Sequence, residues 1–165
     1  MNLEDFKCVE DNIDIDEYIK FREYVKSHME HPEWLGNFTK EEIEYMLNHN
    51  SKIWIYYDGK VPVCSMMEIP SRQKDLDKFG IDLDYDEVVD YGPIFVSPKY
   101  VGNSLQYKML KVEDEYCINL GYKYAATTIH PDNIYCIRNM LKDNFEYKNT
   151  REFTRGIRNI YLKKF

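Results

Sequence analysis

The stretch Ile94-Phe95-Val96-Ser97-Pro98-Lys99-Tyr100-Val101-Gly102-Asn103-Ser104-Leu105-Gln106 changes character twice. Apolar, β-favouring residues give way to a short loop with Pro98 and Gly102, and the loop gives way to a helix-forming run. This predicts strand, loop, helix. The first N–H groups of a helix have no intrahelical acceptor and lie at the positive end of its dipole, so such a loop can hold a pyrophosphate. A single glycine before a helix is also ordinary turn punctuation, and the flanking segments must decide. Upstream, Val88 to Val96 reads as a strand in which Gly92-Pro93 predicts a bulge or kink. Downstream, Gly102 to Leu120 reads as a long helix with Leu105, Met109, Leu110, Val112, Tyr116 and Cys117 available to a core face, and Gly121 as its C-cap. Tyr122 to Ile129 is then a strand, and strand–helix–strand predicts a parallel pair.

Towards the N-terminus, residues 4–10 suggest a first strand. Residues 14–28 suggest a helix that turns Ile15, Tyr18, Ile19, Tyr24 and Val25 inward. Thr39-Lys40-Glu41-Glu42 is a capping box opening a second helix through about Leu47. Lys52 to Tyr57 and Lys60 to Ile69 form a hairpin around Asp58-Gly59. Pro70 to Glu87 is acidic and reads as irregular. Towards the C-terminus, Asn133 to Asp143 is a helix, with closing strands at Phe145 to Tyr147 and Gly156 to Leu162. The order β-α-α-β-β-β-α-β-α-β-β predicts an α+β domain, a mixed but mostly antiparallel sheet flanked by helices, over residues 1–165.

With 29 acidic against 22 basic residues, the net charge is -7. That disfavours general binding to a phosphate backbone, so no nucleic-acid partner is expected. No run of about 18 apolar residues occurs, so no membrane span is expected. The polar start Met1-Asn2-Leu3-Glu4-Asp5 does not resemble a signal peptide, and the four scattered cysteines read as reduced thiols in a cytoplasm.

Val96-x-Pro98-x-Tyr100-Val101-Gly102-Asn103-Ser104-Leu105-Gln106 resembles the acetyl-CoA loop of the GCN5-related N-acetyltransferase (GNAT) superfamily, V-x-P-x-[YF]-[RQ]-x-x-G-x-[GA]. Asn133, Cys136 and Asn144-Phe145 stand where the family's second motif has Asn, a small residue and Gly-Phe. The resemblance covers about residues 88–149. It implies a GNAT-like fold and transfer of an acetyl group from acetyl-CoA to an amine of a small molecule or peptide, by direct attack on the thioester. A non-catalytic acyl-CoA-binding module of the same fold is the alternative. The resemblance further implies that the strand at Phe95 and Val96 presents N–H groups to the thioester and pantetheine. Val101, Gly102, Asn103, Ser104, Leu105 and Gln106 would hold the pyrophosphate, and Asn133 would meet the pantetheine arm. A monomer or homodimer is expected.

The chain departs from the pattern at several positions. Val101 replaces a basic residue. Ser104 replaces a glycine, and serine is small enough for the backbone to approach a phosphate. Asn144 replaces a glycine and tolerates a left-handed conformation. Met140 stands where many members have the tyrosine that protonates the leaving thiolate. Glu68 and Asp90 are candidate bases, depending on strand register, and Tyr135 is a candidate acid.

Other constellations carry less. Gly102-Asn103-Ser104-Leu105-Gln106 imitates a nucleophile elbow, but no histidine follows His130. Asp82, Asp84 and Asp86 imitate a calcium loop, with Glu87 where glycine is required. Neither C-x-x-C nor H-E-x-x-H occurs, so no metal is expected. Cys136 reads as a buried, inert thiol. The acidic stretch Asp75 to Glu87 is a solvated loop or an attractor for a cationic amine. Trp34 and Leu35 line a pocket or close the core.

Overall fold

Two side-chain caps start the N-terminal helices in the computed structural model, which describes residues 1–165. Asp14 Oδ1 accepts from Glu17 N at 3.2 Å and opens α1, Ile15–Lys26. Thr39 and Glu42 bond reciprocally, at 3.2 and 2.8 Å, and open α2, Lys40–Asn48. The remaining elements are β1 Lys7–Val9, β2 Lys52–Asp58, β3 Val61–Pro70, α3 Gln73–Phe79, β4 Val88–Tyr91, β5 Phe95–Val96, α4 Leu105–Asn119, β6 Tyr124–Ile129, α5 Ile134–Lys142, β7 Glu146–Phe153 and β8 Gly156–Lys164. The fold is α+β and mostly antiparallel.

The chain divides into two compact units, Met1–Ile69 with Gly92–Met109, and Pro70–Tyr91 with Leu110–Phe165. In the first, β1, β2 and β3 pair antiparallel in succession and β5 adds to β3. The register puts Ile53 opposite Met67, Ile55 opposite Ser65, and Ser65 opposite Phe95. Opposed residues share a face, so these side chains lie together. Tyr18, Phe21 and Val25 of α1 and Ile43 of α2 pack with Ile53, Ile55, Met67 and Phe95. Ile15, Tyr18, Ile19 and Val25 of α1 face this core as expected, and Tyr24 does not. Positions 18, 21, 22 and 25 make the buried stripe of the helix, and Tyr24 is exposed. Arg22 is buried with the stripe because Nη1 donates to Phe38 O at 2.7 Å and Nε to Glu23.

In the second unit, β4 runs parallel to β6, and β6, β8 and β7 follow antiparallel. The parallel pair is the one that the strand–helix–strand order predicts. The Pro70 to Glu87 stretch is not irregular throughout. It holds α3, which seats Leu76 and Phe79 against Val88, Ala126 and Ile160. Gly80 ends α3 at φ +67, where an added Cβ would run into the Arg151 guanidinium. β7 runs to Phe153, well past Tyr147. On α4, Val112 is exposed, while Glu113 and Asp114 are buried. The opposite side of this sheet carries a polar network. Lys163 Nζ donates to Asp114 and to Asp143, and Tyr91 Oη donates to Asp114 at 2.7 Å.

The first unit buries the Tyr18 side chain whole. The Tyr18 hydroxyl makes no hydrogen bond, and its ring lies 5.8 Å from that of Phe95. Burial pushes its pKa up. An unsatisfied buried hydroxyl costs about 1–3 kcal/mol. Tyr18→Phe is therefore expected to raise the urea midpoint of unfolding at neutral pH. A lowered midpoint would show that the hydroxyl is satisfied in solution.

Candidate active site

The loop between β5 and α4 is held from both ends. Ser97 N donates to Val63 O at 2.7 Å, and Tyr100 N donates to Ser97 O at 2.9 Å. Tyr100 Oη donates to Asp58 Oδ2 at 2.9 Å, which ties the loop to the turn after β2. The Tyr100 ring meets Phe6 edge-on at 5.8 Å. Asn103 Nδ2 donates back to Tyr100 O at 3.0 Å. The loop is thus braced by side chains outside it.

Gly102 has φ +91 and Ser104 φ +57. A Cβ on Gly102 would meet nothing within 4 Å, so open space faces that backbone. The glycine preference at position 104 now has a second cause besides size. Serine there sits in the left-handed region, at a cost of about 1–2 kcal/mol for an L-residue. Lys108 N donates to Ser104 O at 3.1 Å, the first bond of α4. The first-turn N–H groups that follow Ser104 point out of the helix end. Val101 is exposed, so its replacement of a basic residue leaves the fold untouched.

Of the candidate bases, Glu68 lies in the first unit and Asp90 in the second. Glu68 is fully buried and stands opposite Lys52 on β2. Its face is that of Trp54 and Met66, away from Ser65, Met67 and Phe95. Asp90 is on β4 beside Ala126 of β6. Val88 and Ala126 point towards α3, so Asp90 and Thr128, two residues along each strand, share that face. The carboxylate keeps some solvent contact although protein crowds it closely. It makes no hydrogen bond and no ion pair. Desolvation first, and then the Asp75 charge, push its pKa up to about 7, against the pull of Arg155. Asp75 is itself committed to Arg72, at 2.9 and 3.2 Å.

Asn133 caps α5, accepting from Cys136 N at 3.3 Å. Its oxygen has this structural duty in addition to any ligand contact. Cys136 is half-buried, not fully buried. Met140 is buried and Tyr135 lies 72% exposed on the same helix. Asn144 has φ +67, the left-handed conformation expected of it. Sequence reading missed Thr128 and Arg155. Arg155 belongs to the turn between β7 and β8, remote in sequence from Asp90, and only the strand pairing brings them near.

The raised pKa of Asp90 makes a stability prediction. Its folded value lies above the ordinary carboxylate value of about 4, so the unfolded chain gives up this proton first. Stability due to this group is full below about pH 4 and falls as pH rises to about 7. Asp90→Asn should be neutral near pH 4 and more stable than wild type at pH 8, by roughly 2–4 kcal/mol. Denaturant melts at the two pH values check this, and a gain equal at both would remove the raised pKa.

No protein-family profile matches the sequence, and no curated protein sequence matches it. Solved structures do match. A putative acetyltransferase from Acinetobacter baylyi superposes with a TM-score of 0.73 at 13% identity, covering 97% of this chain and 93% of its own. A GNAT-family acetyltransferase from Streptococcus pneumoniae gives 0.71 at 14%, covering 96% and 99%. An acetyltransferase from Bacillus subtilis, in complex with CoA, gives 0.69 at 10%, covering 97% and 99%. Near end-to-end coverage at such low identity is agreement in fold, and this chain has the fold of the GCN5-related N-acetyltransferases.

Proposed function

We propose that the protein is an N-acetyltransferase that moves an acetyl group from acetyl-CoA to an amine by direct attack. The observation that carries this reading is the braced loop before α4, with open space at Gly102 and a left-handed Ser104 turning the chain into the helix. That backbone fits a pyrophosphate without needing a basic side chain at position 101. The N–H groups of residues 101 to 106 hold the phosphates, and the backbone of Phe95 and Val96 aligns the acyl arm. Asn133 contributes through the amide nitrogen that its capping role leaves over. Acetyl-CoA supplies the electrophile, a thioester.

The residues then have to manage protons. An amine with a pKa near 10.4 is about one part in ~2,500 neutral at pH 7. Freeing it costs roughly 4–5 kcal/mol, and a base must contribute. Asp90 is the better candidate. Its pKa of about 7 makes it able to take a proton at neutral pH, and no ion pair already holds its carboxylate. Glu68, fully buried opposite Lys52, is the second candidate. A leaving thiolate needs much less help, because thiol pKa values lie near 8.5. Water or the exposed Tyr135 suffices, and a methionine at position 140 is tolerable. The same fold serving as a silent acyl-CoA-binding module is the alternative reading.

Acetyl-CoA is expected to raise the melting temperature by mass action. Gly102→Val should abolish that shift, because a branched side chain fills the open space and resists a positive φ. An undiminished shift places the cofactor elsewhere. For catalysis, kcat/KM with a responsive amine should rise with pH through about 7. Asp90→Asn should lose this limb and roughly 10²–10⁴-fold in rate. Binding without CoA release across an amine panel would favour the silent module.

A further inference from the structure

Asp90 faces a cation that it does not touch. Arg155, in the turn between β7 and β8, exerts an electrostatic pull on Asp90, yet neither an ion pair nor a hydrogen bond joins them. The reason is geometric. Arg155 Nη2 donates to Thr128 Oγ1 at 2.9 Å, and this anchors the guanidinium towards the end of β6. Asp90 pairs with Ala126, two residues back along that strand and on the same face. Arg155 is exposed as a residue, while protein atoms surround enough of its head to lower its pKa by desolvation. Its remaining N–H groups make no further hydrogen bond or ion pair. Opposite charges that feel one another often close into a bidentate pair, which arginine is built to form. Here Arg155 donates instead to Thr128.

A held-open pair of charges is complementary to a ligand that carries both signs. We propose that the acceptor is a small zwitterion of the amino-acid class, with its ammonium group against Asp90 and its carboxylate against Arg155. The planar guanidinium suits a carboxylate, to which it can offer two parallel N–H donors. A plain cationic amine would meet the Asp90 charge but would also be repelled by Arg155. Asp75, the other acid near Asp90, is already bound by Arg72, so one carboxylate is left for one amine. The charges that act on Asp90 are those of Asp75 on α3 and Arg155 in the β7–β8 turn. This inference rests on the transferase reading above, and it adds the class of acceptor.

The test uses matched acceptors: α-amino acids, their carboxamides and their decarboxylated amines. CoA release and calorimetric binding to the CoA-saturated protein are read separately. Wild type should favour the acids over both neutral-tailed sets by roughly 10–100-fold in kcat/KM and in affinity. Arg155→Gln should bring that ratio close to one, and Arg155→Lys should restore part of it. Equal use of acids and decarboxylated amines by wild type would overturn the proposal. So would an Arg155→Gln loss that is the same for every acceptor, or the absence of amino-acid binding. Amino acids that bind in an Arg155-dependent way without CoA release would uphold the site and defeat the transferase reading. CoA release with decarboxylated amines alone would do the reverse.

Discussion

Pro93 has no amide hydrogen to give to a β-ladder, and much of the architecture follows from that. A strand running from Val88 to Val96 has to break there. It does so between β4 and β5. Gly92, just before the break, donates its N–H to Met67 O at 2.8 Å. A Cβ on Gly92 would come within 3.0 Å of Ile69 Cδ1 and 3.3 Å of Met67 O, so nothing larger is accommodated easily. The part before the break pairs with β6, and the part after it pairs with β3. The division between the two compact units falls at the same place. Asp90 and Phe95 therefore come from one predicted strand and end on two, β4 and β5.

The break, the loop and the start of α2 were legible because each rests on a residue with few conformational options. Proline cannot donate, glycine goes where φ is positive, and Thr39 with Glu42 satisfies helix-end donors. The misses have the opposite character. In α3 only Leu76 and Phe79 are apolar anchors among alternating charges, and Gly80 was the one local signal of a helix end. β7 is polar and exposed for most of its length, so no alternation marks it as a strand, and pairing to β8 is what defines it. On α1 only Tyr24 was misplaced, because tyrosine satisfies both an inward and an outward position; Tyr18 took the first and Tyr24 the second.

The candidate site divides along the same line. The candidate phosphate loop is local in sequence, so its residues could be named from the chain. The base is not. Glu68 and Asp90 were both acids on strands, and a slip of one residue would exchange their faces. The hydrogen-bond register sets Glu68 opposite Lys52 and Asp90 on the side of α3. Arg155 could not be found at all from sequence, because its relation to Asp90 passes through Thr128 and two strand pairings.

The energetics of Asp90 bear on why such a group would be kept. A carboxylate crowded by protein without a compensating partner lowers the stability of the folded state at neutral pH, and single domains have only about 5–15 kcal/mol in total. A structural acid would normally be relieved by closing onto the nearest cation. Asp114 shows that this protein does so elsewhere, with Lys163 and Tyr91 both donating to it. Asp90 has the Arg155 cation within electrostatic reach without a bond to it, and Arg155 donates instead to Thr128. Leaving them unpaired raises the free energy of the resting protein and keeps the carboxylate basic enough to compete for a proton at neutral pH. A ligand bearing both charges would recover that energy on binding, which is the physical form of a site whose instability is matched to its substrate.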